Sequence, residues 1–176
     1  MEYKFTKPQT ALTLLEGHRI EGYASLFGLR DKGGDMVMPG AYGTSLTRLA
    51  ARGERVRMLW QHDPAQPIGI WEEVVEDTRG LRVRGRLLPD IARAQEARVL
   101  LEAGAVDGLS IGYRTIRAEA LPGGGRKLIE LDLWEVSLVT FPMQPEARVA
   151  RKCGTLDELA ALTARLRAAR DAVARL

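Results

Sequence analysis

The feature that most constrains this chain is its longest strand-like run, Lys127 to Phe141. Side chains alternate along a strand, so Leu131, Leu133, Glu135, Ser137 and Val139 share one face. Pro142-Met-Gln-Pro145 then ends the run. Glu135 interrupts a mainly apolar face, and a buried carboxylate needs a partner. A salt bridge to Arg114 on a neighbouring strand would satisfy it, as would a surface strand end. A functional partner is the third possibility.

The remaining pattern is mostly strand-like. Residues 10 to 27 read as strands with a break, and Gly22 is a bulge candidate. Arg55 to Gln61 alternates as a strand that stops at His62-Asp63-Pro64, because proline removes a ladder donor. Pro67 to Glu76 and Leu81 to Leu87 form a hairpin around Asp77-Thr-Arg-Gly80. Helical periodicity covers Thr44 to Arg52 and Asp90 to Ala103, the latter with an apolar stripe of Ile91, Ala94, Ala97 and Leu101. Gly104 follows as its C-cap. Asp31 and Asp35 lie in a Gly-rich loop and are most simply turn formers, although they can also bind a cation.

Composition narrows the function. At 176 residues the chain is roughly one domain, and 45% hydrophobic content is enough for a core. The net charge is only +3, with arginines spread along the chain, so specific nucleic-acid binding is not implied. One cysteine, Cys153, excludes an internal disulfide and fits a reducing cytosol. No apolar run suits a membrane span, and the N-terminus lacks a signal core. The two histidines, His18 and His62, have no zinc-like spacing, so hydrolytic chemistry here is expected to need no metal or other cofactor.

The candidate nucleophile is Ser110, in Gly104-Ala-Val-Asp-Gly-Leu-Ser-Ile-Gly-Tyr113. Gly108 can take a positive φ and turn the chain, and Gly112 lets a ligand backbone approach. Leu109, Ile111 and Tyr113 point one way and the Ser110 hydroxyl the other, which is the exposure a nucleophile needs. A tight helix-to-strand turn carrying an ordinary serine reads the same way locally. Gly108-Leu-Ser-Ile-Gly112 also matches the G-x-S-x-G elbow of α/β-hydrolases. That fold, however, needs a helix after the serine and a histidine later in the chain, and both histidines precede Ser110. His62 lies at a strand end beside a turn, either as a cap for that turn or as a base. Its neighbour Asp63 faces the opposite way and is a poor orienting partner. His62, Ser110 and Glu135 can fill the roles of base, nucleophile and orienting carboxylate.

Several segments together carry a family resemblance. They are Gly22-Tyr-Ala-Ser-Leu-Phe-Gly28, Asp35-Met-Val-Met-Pro-Gly-Ala-Tyr42, Leu59-Trp-Gln-His-Asp63 with Pro67-Ile-Gly69, Val106-Asp-Gly-Leu-Ser-Ile-Gly-Tyr113 and Trp134-Glu-Val-Ser-Leu-Val-Thr-Phe-Pro142. Over roughly residues 18 to 150 the chain resembles the prohead (head maturation) proteases of tailed phages, relatives of the herpesvirus assemblins. The resemblance implies a mainly β, α+β fold: a small closed or nearly closed β-barrel surrounded by helices. It implies a serine endopeptidase inside the immature capsid of a host bacterium, from a phage, a prophage or a gene-transfer agent. Such an enzyme trims the scaffolding segment of the major capsid protein precursor and then digests itself. The family's nucleophile falls on Ser110 and its base on His62. Assemblins use a second histidine as third member, and this chain has none after Ser110. Glu135 takes that place here, with Asp107 as the rival. Oxyanion donors are expected at Gly112 or in the turn carrying Phe141, Met143 and Gln144. A non-catalytic capsid- or scaffold-binding barrel and a small-molecule esterase are the competing classes, and a homodimer stays open.

Residues 1–152 are expected to form the protease domain and 153–176 a C-terminal amphipathic helix. Thr155-Leu-Asp-Glu158 is a capping box. Leu156, Leu159, Leu162 and Leu166 then start an apolar stripe flanked by arginines. This helix either packs on the barrel or pairs with a helical scaffolding segment of the capsid protein, or with itself.

Overall fold

The structure, a computed structural model, describes residues 18–149. The expected C-terminal helix, the boundary at 152–153 and the strand start near residue 10 lie outside the described residues. Among the described residues the order is β1 (Arg19–Leu26), β2 (Met36–Val37), α1 (Gly43–Ala51), β3 (Arg57–Trp60), β4 (Asp63–Glu76), β5 (Gly80–Leu87), α2 (Ala92–Ala103), β6 (Gly108–Ala120) and β7 (Arg126–Val139).

The run that dominates the sequence becomes the spine of the sheet. β7 is 14 residues long and serves three neighbours. One edge pairs antiparallel with β6 along its whole length, from Gly108↔Val139 to Ala120↔Arg126. The other edge is divided. β2 pairs in parallel at one end, Val37↔Leu128, and β3 in parallel at the other, Arg57↔Glu135 through Trp60↔Leu138. From β3 the sheet continues antiparallel through β4 and β5 to β1.

The sheet curls until β1 approaches β6, and residues 147–149 join the two. Val149 bridges Gly22 of β1, and Arg148 bridges Gly108 of β6. The Leu109 N–H donates to the Ala147 carbonyl at 2.8 Å, and the Val149 N–H to the Asp107 carbonyl at 2.6 Å. This is the nearly closed barrel that the resemblance implies. Two helices pack on it among the described residues, α1 against β7 and β4, and α2 against β4 and β5. α2 buries Ala94, Ala97 and Leu101, and Gly104 caps it in the left-handed region at φ 70°. α1 is tied to β7 by buried Ser45, whose Oγ accepts the Leu133 N–H at 2.9 Å.

The core lies inside the curl, around Ile20, Met58, Ile68, Trp71, Leu81, Val83, Leu109, Val136 and Leu138. Two glycines make room for Met58. A Cβ at Gly69 would overlap Met58 Sδ and lie 2.5 Å from the Arg86 carbonyl oxygen. A Cβ at Gly85 would lie 2.8 Å from both Met58 Cε and Trp71 Cε3. The flexible thioether thus fills volume that two absent side chains vacate. The Trp71 indole N–H, buried in the same region, donates to the Val136 carbonyl at 3.1 Å.

Two local expectations change. Pro64 does not stop the sheet: β4 begins at Asp63, directly after a two-residue reversal. Residues 64–66 bulge out between the pairs Trp60↔Asp63 and Leu59↔Pro67, where no ladder donor is required. Asp63 caps the bulge by accepting from the Ala65 N–H at 2.8 Å. Gly108 does not turn the chain through a positive φ; the turn is made at Gly104. Gly108 is needed for space, because a Cβ there would lie 2.5 Å from the Val139 carbonyl oxygen and 2.7 Å from Pro142 Cδ.

Asp31 is the expected turn former, with Oδ1 accepting from the N–H groups of Gly33 at 2.8 Å and Asp35 at 2.9 Å. Asp35 does more: it clasps the β6–β7 turn through the Arg126 backbone N–H at 3.0 Å and the Arg126 guanidinium at 2.5 Å.

Two predictions follow from this packing. Gly69→Ala should destabilise the protein by about 1–3 kcal/mol through overpacking, read from the midpoint of denaturant unfolding. The hydrogen bond from Arg126 holds the Asp35 carboxyl below its ordinary value. A carboxylate depressed in the folded state stabilises above its unfolded pKa, and that stability is lost as pH falls through the folded value. Asp35→Asn should therefore lose less stability than the unsubstituted protein on acidification from about pH 5 to about pH 2. Equal losses would show that the clasp contributes nothing.

Candidate active site

The site begins with a strained turn. Because Trp60 pairs with Asp63, Gln61 and His62 form a two-residue hairpin loop. Both have positive φ, 53° and 62°. That is the backbone of a type I′ turn, which usually carries Asn-Gly. Gln and His bear a Cβ cost of about 1–2 kcal/mol each in this region. The turn is stitched to the end of β7. The Gln61 N–H donates to the Leu138 carbonyl at 2.9 Å, and the Gln61 amide nitrogen to Thr140 Oγ1 at 2.8 Å. The His62 N–H donates to Ser137 Oγ at 3.2 Å.

This backbone delivers the imidazole to Glu135. His62 Nδ1 lies 2.5 Å from Glu135 Oε1, and Ser137 Oγ donates to Oε2 at 2.6 Å. Glu135 is 5% exposed, so both oxygens of a buried carboxylate are satisfied by these two residues. The His62 side chain is 42% exposed, and its Nε2 has no protein partner among the described residues.

The antiparallel register carries the site onto β6. Ser110 pairs with Ser137, and Gly112 with Glu135. Side chains of directly opposed residues share a face, so Ser110 lies on the face that carries Glu135 and Ser137. Gly112 turns out to serve the carboxylate rather than a ligand backbone. A Cβ there would overlap Glu135 Oε1 and lie 2.6 Å from Cγ. The Ser110 hydroxyl is less open than its strand position suggests: the residue is 6% exposed. It makes no hydrogen bond among the described residues, to the imidazole or otherwise.

Ser110 and His62 open onto different hollows. Ser110 lines a cleft of about 290 Å³ together with Ser25, Leu29, Tyr113, Met143 and Gln144. His62 and Glu135 border an open hollow of about 550 Å³ with Leu59, Pro64, Pro67 and Trp134. In the first cleft the Tyr113 phenol is pushed above its ordinary value, by burial first and then by the Asp35 and Asp31 carboxylates. It stays neutral there.

The other candidates separate clearly. Asp107 forms an ion pair with Arg148, and Arg114 pairs with Asp132 rather than with Glu135. The Gln144 side-chain amide is engaged by the backbone of Leu26, accepting its N–H at 2.6 Å and donating to its carbonyl at 2.9 Å. Phe141 is exposed and Met143 half-exposed. The backbone N–H groups of Phe141, Met143 and Gln144 have no acceptor among the described residues. Ser137 is the participant that sequence reasoning missed. Its position two residues after Glu135, on the same strand face, was the available signal.

Comparison with known proteins agrees with this architecture. The model of the caudovirus prohead serine protease family matches residues 7–161. The prohead protease of Enterobacteria phage HK97 is 34% identical over 134 residues, covering 74% of this chain and 58% of that protein. A capsid polyprotein of Pseudomonas phage PAJU2 is 33% identical over 103 residues, covering 53% of this chain and 15% of that protein. The chain thus spans little more than half of one curated relative and a small part of the other. Among solved structures, the capsid assembly protease of bacteriophage T4 shares the fold, with a TM-score of 0.57 at 16% identity over 69% of this chain and 80% of that one. The KSHV protease aligns with a TM-score of 0.49 at 13% identity, over 74% of this chain and 63% of that one. With the family model matching most of its length, the chain belongs to the caudovirus prohead serine protease family.

Proposed function

We propose that this protein is a serine endopeptidase of capsid maturation, with Ser110 as nucleophile, His62 as general base and Glu135 as the orienting carboxylate. The observation that carries the reading is the 2.5 Å contact between His62 Nδ1 and buried Glu135 Oε1, on the sheet face shared with Ser110. With Nδ1–H donating to the carboxylate, neutral His62 keeps its lone pair on Nε2. That nitrogen takes the Ser110 proton as Oγ attacks the scissile carbonyl, and the carboxylate stabilises the imidazolium that results. The imidazolium then protonates the departing amine. Water, activated by the same base, hydrolyses the acyl-enzyme.

The hydrogen bond between Ser110 Oγ and Nε2 forms when substrate fills the site, since catalytic contacts are often loose without it. The free N–H groups of the Phe141–Gln144 turn suit the oxyanion, because Met143 and Gln144 line the cleft of Ser110. Gly112 is the alternative donor. The substrate is the scaffolding segment of a major capsid protein precursor, cleaved inside the prohead within the host bacterium, and self-digestion follows. Similarity to a phage capsid polyprotein supports a capsid precursor as partner.

Incubating the purified protein with capsid precursor tests the reading. Discrete cleavage is expected; binding without cleavage, or turnover of small esters alone, would overturn it. Ser110→Ala and His62→Ala should each abolish cleavage while keeping the folded circular dichroism spectrum. Wild-type processing by Ser110→Ala would remove the nucleophile assignment. Glu135→Gln keeps the shape and loses the charge, and should lower kcat by about 10²–10⁴. An unchanged rate would reduce the site to a Ser–His dyad.

A further inference from the structure

We infer that Ser137 is a positioning residue of this site, one hydroxyl that fixes both the carboxylate and the backbone of the base. The inference rests on the catalytic reading of His62 and Glu135 given above. Ser137 is fully buried, and its hydroxyl has two partners. It donates to Glu135 Oε2 at 2.6 Å and accepts the His62 N–H at 3.2 Å. A hydroxyl has one proton and two lone pairs, so this use is stoichiometrically complete in its donor.

Each bond removes a different freedom. A carboxylate can rotate about its terminal torsion, which is broad and roughly two-fold. Tying Oε2 to Ser137 leaves Oε1 directed at Nδ1. The turn that carries His62 sits in a left-handed conformation at two non-glycine residues. Such strain persists only where surrounding bonds over-determine it. The other bonds of the turn hold Gln61. The bond to Ser137 is the one that holds the backbone N–H of His62 itself. Ser137 therefore couples the strained turn to the buried carboxylate. Because it pairs with Ser110 across β6 and β7, it does so directly opposite the nucleophile.

Ser137→Ala removes both bonds and leaves Glu135 Oε2 buried without a donor. The expected result is a fall in kcat of about 10- to 100-fold with KM within about threefold, since substrate contacts are untouched. The same substitution in the Glu135→Gln background should cost less than it does in the unsubstituted protein, because the bond to Oε2 is already altered there and only the bond to the His62 N–H is newly lost. A kcat within twofold of wild type, or a full multiplicative loss in the Glu135→Gln background, would overturn the inference. A second readout is independent of catalysis. In the Ser110→Ala protein, the imidazole Nδ1–H proton resonance should move upfield or broaden through exchange when Ser137→Ala is added. An unchanged resonance would overturn the positioning role even if the peptidase reading failed. Should Ser137→Ala not fold, Ser137→Cys, a weaker donor of similar size, is measured by the same criteria.

Discussion

The site depends on one buried carboxylate. Glu135 sits in the long central strand among leucines and valines, where an uncompensated charge would be strongly destabilising. Its two oxygens are satisfied by the His62 imidazole and the Ser137 hydroxyl. Everything around it serves that arrangement. Gly112 leaves the volume that the carboxylate occupies, and β3 runs parallel to β7 so that Leu59 is level with Ser137 and its last residue, Trp60, with Leu138. The hairpin after β3 accepts left-handed strain to bring the ring over. On the proposed reading the same contact orients the base, so the stabilising bond and the chemistry are one feature.

The barrel supplies rigidity for this geometry. β7 is paired along one edge by β6 and at both ends of the other by β2 and β3, and its last five residues, 135–139, are buried on both faces. A strand held in this way fixes Glu135 and Ser137 in register with Ser110 on β6. The base arrives on a turn rather than on a strand, yet that turn is bonded to Leu138 and Thr140 at the end of the same spine. All the candidate residues are thus referred to one element.

Much of this was legible in the sequence, for reasons that can be named. Alternation located β3, β6 and β7, the Asp77-Thr-Arg-Gly80 turn located the hairpin of β4 and β5, and Gly104 announced the end of α2 through its left-handed cap. The demand of Glu135 for a partner was visible because a charge in an apolar face is locally inconsistent. What stayed hidden depends on contacts distant in sequence. Gln61-His62 carries none of the Asn or Gly residues that mark a type I′ turn, so Pro64 was read as the end of a strand. The two-residue β2 and the closing segment 147–149 are too short to show a period. Gly112 gave an ambiguous signal, since a missing Cβ can admit a ligand or a neighbouring side chain. Ser137 shows locally only its place two residues after Glu135 on the same face; its bond to a main-chain N–H 75 residues away leaves no local mark.

The central claim is that Ser110 is a nucleophile activated by the His62–Glu135 pair. Reaction of the folded protein with a peptidyl phosphonate, followed by mass mapping of the adduct, tests it most directly. The account predicts a covalent adduct on Ser110, formed stoichiometrically with loss of precursor cleavage, and absent in His62→Ala. Complete loss of cleavage with the adduct on any other residue, or undiminished cleavage by protein fully modified at Ser110, would contradict it.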